Sequence, residues 1–231
     1  MQAMILAAGE GTRMRPLTNT IPKPLLSVGP HRLIDYHLQK LVALGFEQVV
    51  INVAYLQEKI TAALGTHYCG MRIHYSVEPE PLETAGAILH ALELLGEQPF
   101  LLINGDIWTD YDFGLLQHKT LADANRGHLV LVPNPSHNAE GDFAISRDLH
   151  VCPKQVQQPA YTFSGISLID PKLICDYPQK RKKFPLREVF SWGINDDVIT
   201  GEYYAGQWYD IGTPAALEFL DAKLREENSG H

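Results

Sequence analysis

Apolar and polar positions follow one another in blocks that predict alternating strands and helices. Met4-Ile5-Leu6-Ala7-Ala8 is an unbroken apolar run, the pattern of a strand buried on both faces. Leu33, Ile34, Tyr36, His37, Leu38, Leu41 and Leu44 recur at roughly helical spacing, with Gly45 as a stop. Residues 48–53 are a β-branched run suited to a buried parallel strand, and residues 55–64 make a helix closed by Gly65. Residues 71–75 alternate as a strand, residues 84–95 form a helix with Thr84 as its N-cap, and residues 100–103 are a third central strand. This succession predicts an α/β fold with a doubly wound, mostly parallel sheet and helices on both faces.

The pattern then changes. A strand over 128–132 precedes a polar, Pro/Asn-rich stretch at 133–141, short strands at 143–145 and 149–151, and a longer strand at 161–169. Lys180-Arg181-Lys182-Lys183 is read as a solvated face. Residues 198–204 and 207–209 are expected to pair as a hairpin across Ala205-Gly206. Residues 213–226 form a closing helix capped by Thr213, with an apolar stripe through Leu217, Phe219, Leu220 and Leu224. Neither a repeat nor a low-complexity segment is visible, so one domain over 1–231 is expected.

Charge narrows the partners. A net charge of −8 argues against nucleic acid or an anionic membrane. Cys69, Cys152 and Cys175 are scattered, without metal-site spacing, and no apolar run reaches about 18 residues. A cytoplasmic location is therefore expected. Against this acidic background, Arg13, Arg15 and Lys23 crowd behind the first strand, after the turn Gly9-Glu10-Gly11. Two glycines let a backbone bend tightly around an anion, successive N–H groups can point at phosphate oxygens, and the cations can neutralise a leaving pyrophosphate. The string G-x-x-x-x-G-K-[ST] is absent, and no third glycine opens a helix as a dinucleotide fingerprint requires. A buried strand followed by a solvated loop would leave the clustered cations unexplained.

Asn104-Gly105-Asp106 follows a predicted central strand, where ligands collect in doubly wound sheets. A carboxylate there suits Mg²⁺, which takes one or two carboxylates beside phosphate oxygens, though such a tripeptide also makes an ordinary turn. Asp210, in Trp208-Tyr209-Asp210-Ile211-Gly212-Thr213, is a second acid that could equally serve the last helix as a cap. Glu78 could accept a hydrogen bond from a base N–H, or simply sit near a helix N-terminus. A carboxylate meets one donor on uracil and two on guanine, so this leaves the base open.

The string L-A-A-G-x-G-T-R-x-R-P-L-T followed by P-K-P-L resembles the signature of the sugar-phosphate nucleotidylyltransferases. That resemblance implies a GT-A-like, Rossmann-like fold and the reaction of a nucleoside triphosphate, UTP or another, with a sugar 1-phosphate to give an NDP-sugar and pyrophosphate. It also implies a nucleotide-binding half at 1–127 and a smaller, sugar-binding β subregion with the closing helix at 128–231. By resemblance, Leu6, Ala8, Gly9, Gly11, Thr12, Arg13 and Lys23 meet the nucleotide, as do Asn104 and, in Glu78-Pro79-Glu80-Pro81-Leu82-Glu83-Thr84-Ala85-Gly86, residues Glu78, Glu83, Thr84 and Gly86. Asn104, Asp142, Ser164 and Gly165 meet the sugar, and Asp106 and Asp210 hold Mg²⁺. Arg15, Lys23 and Asp106 are the expected catalytic residues.

Two departures stand out: Glu83 occupies a position where many relatives carry glycine, and no clear Glu-Lys-Pro string is found, Lys154 being the nearest lysine. Within the family, E-P-L-E-T-A-G, N-G-D-I-W-T-D-Y-D-F, G-D-F and T-F-S-G-I resemble a uridylyltransferase branch that serves peptidoglycan recycling. A mannose-1-phosphate guanylyltransferase or a glucose-1-phosphate uridylyl- or thymidylyltransferase is the alternative. A non-catalytic nucleotide-sugar sensor and a cytidylyltransferase for a small alcohol phosphate are readings from other classes. A monomer or weak homo-oligomer is expected.

Overall fold

The first apolar run becomes β1 (Gln2–Leu6), and the main sheet is laid down on either side of it. The computed structural model describes residues 1–122, 124–154 and 158–229, without the side chains of 228 and 229. After β1 come three single-turn helices between residues 12 and 25, then β2 (Ser27–Val28), β3 (His31–Arg32), α1 (Leu33–Ala43), β4 (Gln48–Val53), α2 (Gln57–Leu64), β5 (His67–Tyr68) and β6 (Met71–Val77). The first half closes with α3 (Glu83–Leu95), β7 (Phe100–Asn104), β8 (Ile107–Thr109) and α4 (Gly114–Gln117). The second half supplies β9 (Gly127–Val132), β10 (Phe143–Ile145), β11 (Val151–Pro153), β12 (Thr162–Ile169), α5 (Pro171–Cys175), α6 (Leu186–Asn195), β13 (Ile199–Tyr203), β14 (Trp208–Asp210) and α7 (Pro214–Ser229).

Eight strands form one sheet in the order β13-β9-β12-β7-β1-β4-β6-β5. Its centre, β7-β1-β4-β6, is parallel, while β12 runs antiparallel to both its neighbours and β5 antiparallel to β6. The expected nucleotide and sugar halves therefore share one sheet, joined where β7 meets β12. Alternation along the strands feeds two cores. Ala3, Ile5, Val49, Ile51, Leu101 and Ile103 face α1 and α2 through Ile34, Leu38, Leu41 and Ile60. Met4, Val50, Phe100 and Leu102 face α3, α5 and α6 through Ala87, Ile88, Leu173, Val189 and Phe190. A third cluster packs α7 (Leu217, Leu220, Leu224) on Met14, Leu33, Trp108 and Ile211.

Five expectations need correction. The hairpin between 198–204 and 207–209 does not form: β13 pairs parallel with β9, and β14 pairs antiparallel with β8, about 100 residues back in the chain. Burial decides this, since β13 gains a place in the main sheet beside the buried β9. Thr84 is not the cap of α3, which starts at Glu83; its hydroxyl accepts from Leu186 N instead, at 2.7 Å. The helix expected from 55 starts at Gln57, after Leu56 in a left-handed conformation (φ 50°). The strand expected at 149–151 lies at 151–153, because Leu149 (φ 64°) turns the chain. Phe219 is 60% exposed and lies outside the buried stripe of α7. Thr213 does cap that helix, its hydroxyl accepting from Ala216 N, and residues 180–183 are solvated as expected.

The β8–β14 pairing carries Asp210 to the parallel strands, and Thr109 fastens it: the hydroxyl donates to Gln207 O (2.8 Å) and accepts from Tyr111 N (3.1 Å). Thr109→Val keeps the shape but orphans the buried Tyr111 N–H, Gln207 O retaining its bond from Asp110 N at 3.2 Å, at about 1–3 kcal/mol. Differential scanning calorimetry should show Tm lower by about 3–8 °C; an unchanged Tm would mean that the pairing does not depend on this hydroxyl.

Candidate active site

Strand order reverses between β7 and β1, and the crevice beyond the carboxyl ends of β1, β4 and β7 is a topological switch point. There the structure opens a cleft of about 350 Å³, within the range of small-molecule sites. Leu6, Ala8, Gly9, Gly11, Thr12, Arg13 and Lys23 line one wall, Glu78, Glu83 and Thr84 another, and Asn104 and Asp106 the third. Segments separated by some eighty residues thus meet because their strands are neighbours.

Local sequence explains the shape of the first wall. Gly11 is left-handed (φ 62°), and a Cβ there would stand 2.9 Å from Thr18 Cγ2, so a side chain is excluded twice. Thr18 returns a hydrogen bond to Gly11 O at 2.8 Å. Gly9 has nothing within 4 Å of its missing Cβ, which leaves that space to the cleft. The turn closes through Met14 N to Gly11 O and Arg15 N to Thr12 O. The N–H groups of residues 9–13 stay outside those turn bonds, as an anion-binding loop requires.

The charged groups at the mouth compensate one another. Lys23 is 8% exposed, and its Nζ lies 2.9 Å from Asp106 Oδ2. Asp210 comes alongside through the Asp210↔Ile107 register and the hydrogen bond from Ile211 N to Asp106 O, 2.9 Å. Burial, with the nearby Asp106 charge, pushes the Asp210 carboxyl above its ordinary value, against the opposing pull of Lys23, Arg13 and His137. A Cβ on Gly212 would stand 3.1 Å from Asp210 Oδ2 and 3.2 Å from both terminal nitrogens of Arg13, so this glycine makes room for the guanidinium. Two neighbouring carboxylates beside a phosphate-sized loop are a donor set that fits Mg²⁺, whose remaining positions go to water and phosphate. Among the described residues no group of three or more His, Cys, Asp or Glu side chains could hold a metal.

Other expected residues are placed differently. Arg15 is exposed and is not among the residues that line the cleft; it lies 3.5 Å from Glu10. Gly86 is buried in α3, where a Cβ would meet Lys182 O at 2.6 Å; it serves packing against the 180–184 segment and does not admit a base. Ser164 is fully buried and its hydroxyl accepts from Ile166 N, so its side chain is a strut and does not face a sugar. Asp142 accepts from Phe163 N at 2.9 Å and from Asn138 Nδ2 at 3.2 Å, tying the G-D-F and T-F-S-G segments together. Gly165 (φ 82°) presses on Asn104, whose side chain would lie 2.7–2.8 Å from a Cβ. Lys154 Nζ donates to Gly141 O at 3.3 Å. Glu83, where the family resemblance leads one to expect glycine, is left-handed at φ 61°, a conformation that suits glycine better than a side chain.

Sequence reasoning passed over Asn52, Gly105 and His137. Asn52 lines the cleft from the end of β4, and its one signal was a polar residue inside an otherwise apolar strand. His137 Nε2 lies 3.4 Å from Asp210 Oδ2, a contact made only by folding.

The chain is similar to known proteins over nearly its whole length. Residues 2–227 match the family described as Nucleotidyl transferase. The chain is 43% identical to the N-acetylmuramate alpha-1-phosphate uridylyltransferase of Neisseria meningitidis serogroup B, over 96% of this chain and 97% of that one. It is 31% identical to the mannose-1-phosphate guanyltransferase of Aspergillus fumigatus over 93% of its own length, spanning 61% of that protein. The crystal structure of HddC from Yersinia pseudotuberculosis complexed with GMP-PN shares the fold, with a TM-score of 0.79 at 24% identity over 96% of this chain and 98% of that one.

Two predictions follow from the electrostatics and the backbone. A carboxyl with a raised value binds its proton more tightly folded than unfolded, so Asp210 opposes folding at neutral pH and stops doing so as the pH falls through that value. Asp210→Asn in EDTA at pH 7 should therefore melt about 1–3 °C above the parent, a gap that closes towards pH 4; a lower Tm at pH 7 would contradict the repulsion. Glu83→Gly relieves the left-handed strain, so its Tm should equal or exceed the parent's, whereas glycine inside a helix ordinarily costs about 1 kcal/mol. A fall of several degrees in thermal denaturation would refute this.

Proposed function

We infer that this chain, which belongs to the nucleotidyl transferase family, transfers UMP from UTP to N-acetylmuramate α-1-phosphate. The products are UDP-N-acetylmuramate and pyrophosphate, a cytoplasmic step of peptidoglycan recycling. The reading of the chemistry is supported by one observation: the glycine loop, Lys23 and Asp106 line one cleft, with Asp210 close enough to feel the charges of Asp106, Lys23 and Arg13. The sugar rests on the similarity to the Neisseria meningitidis enzyme, which runs through nearly the whole of both chains. A second reading, a mannose-1-phosphate guanylyltransferase, is favoured by Glu78, an acceptor that would serve guanine as well as uracil, and by the Aspergillus fumigatus relative.

The nucleophile is a phosphate oxygen, already largely ionised because the second pKa of a phosphomonoester is about 6. No general base is needed, so the work is in-line positioning and charge stabilisation. The loop N–H groups at 9–13 and Arg13 would cradle the β- and γ-phosphates, and the exposed Arg15 would meet the departing pyrophosphate. Lys23, already held against Asp106, would bring positive charge to the α-phosphate or the incoming phosphate. Asp106 and Asp210 would hold Mg²⁺, which when bound neutralises the oxygens that repel one another as the two phosphates meet. Gly141, Gly165 and Asn104 would border the sugar, with Asp142 setting the distance between their segments.

Asp106→Ala should lower kcat by about 10³-fold while leaving the far-ultraviolet circular dichroism unchanged; parental turnover would remove Asp106 from the metal site. Pyrophosphate release should be measured with Mg²⁺, crossing UTP, GTP, dTTP and CTP against N-acetylmuramate, N-acetylglucosamine, glucose and mannose 1-phosphates. Turnover confined to UTP and N-acetylmuramate 1-phosphate is expected. Turnover with GTP and mannose 1-phosphate would select the second reading, and tight nucleotide-sugar binding without turnover a sensor.

A further inference from the structure

Asn52 is the cleft residue to which the reaction gives no task. It stands at the end of an apolar strand, 3% exposed, in a position where a β-branched residue would suit the fold better. Both ends of its amide are anchored. Oδ1 accepts from Ala7 N at 2.7 Å, where β1 gives way to the glycine loop, and Nδ2 donates to Glu78 Oε1 at 2.6 Å. The other oxygen of Glu78 accepts from Leu82 N at 3.0 Å, just ahead of α3. One buried side chain thus ties the phosphate loop to the loop that reaches the base, and stops the Glu78 carboxylate, itself 4% exposed, from turning.

We propose that Asn52 is a positioning residue that sets base preference, by fixing beside Glu78 a hydrogen-bonding edge complementary to a ring N–H next to a carbonyl. This rests on reading the cleft as a nucleotide site. A primary amide has two protons and a carboxylate oxygen two lone pairs; the internal bonds use one proton of Nδ2 and one lone pair on each Glu78 oxygen. Both groups line the cleft. The pair therefore offers an N–H donor beside a carboxylate acceptor. Uracil N3–H with O4, and guanine N1–H with O6, match that edge. Cytosine and adenine present the reverse: a ring nitrogen lone pair against the carboxylate and an amino group against the amide. Polar groups left unpaired in a site built to hydrogen-bond exclude the wrong partner far more strongly than an apolar pocket could. Without Asn52 the carboxylate keeps only the bond from Leu82 N and can turn about it, and the discrimination goes with it.

The test is equilibrium binding of UTP, CTP, GTP and ATP with Mg²⁺ to the parent, Asn52→Ala and Asn52→Asp, by isothermal titration calorimetry, alongside kcat, KM and Tm. Asn52→Asp is nearly isosteric and keeps the acceptor for Ala7 N–H, but sets a second carboxylate against Glu78. The parent should prefer UTP to CTP, or GTP to ATP. Both variants should lose at least about 10-fold of that ratio, with KM for the nucleotide rising while kcat at saturation stays within about 3-fold. A variant that binds all four nucleotides more weakly by one common factor, with a lowered Tm, would reduce Asn52 to a prop and overturn the proposal. A parent that binds the amino bases as well as the others, or binds none, would overturn it too. A parent that selects UTP or GTP but turns over no sugar 1-phosphate would defeat the uridylyltransferase reading alone, because the binding ratio would still decide the role of Asn52.

Discussion

The site depends on the close parallel approach of β1 and β7. Gly105 N donates to Leu6 O at 2.8 Å, and a Cβ at residue 105 would meet that oxygen at 2.6 Å. Only glycine lets the chain leave β7 so close to β1. That contact sets Asp106 beside the glycine loop and within reach of Lys23, although the lysine and the aspartate are 83 residues apart in the chain. The β8–β14 pairing then brings Asp210 alongside Asp106, and α7 packs behind it on the third core.

Around this contact the charges are arranged so that none stands alone. In a chain of net charge −8, Lys23 and Arg13 are placed where the two acids converge. A nearly buried ammonium group gains little stability from such a pair, because desolvation offsets much of the Coulombic attraction. Its value lies in position: Lys23 is held ready where phosphate charge would arrive, with no reorganisation to make at that moment. The raised Asp210 carboxyl belongs to the same arrangement, since burial and the neighbouring Asp106 charge both disfavour its ionised form.

Much of the cleft that we assign to the nucleotide was legible in the sequence because it is local. The glycines, both arginines and Lys23 lie within 15 residues, and Asp106 follows directly on an apolar strand. The sugar side was less legible. Asp142 and Ser164 were assigned to a ligand by resemblance, yet their oxygens are engaged within the chain. Gly86 looked like an opening for a base and proved to be a packing contact with Lys182 O. Asn52 carried hardly any signal, since a buried amide in a strand says nothing of its partners until Ala7 and Glu78 are brought to it.

By itself the sequence determined the alternation of strands and helices, the parallel centre of the sheet, the phosphate loop and the carboxylate that follows β7. Those features follow from hydrophobic periodicity and from backbone freedom at single residues, which act over a few positions. Only the tertiary structure decided that β13 enters the main sheet beside β9 and that β14 crosses to β8. It alone decided that Asn52 joins two loops of the cleft and that His137 faces Asp210. Each of those outcomes is a choice among distant partners of similar local character. The choice is made by which pairing buries more apolar surface and leaves fewer polar groups unsatisfied, a property of the whole fold that no short window of sequence contains.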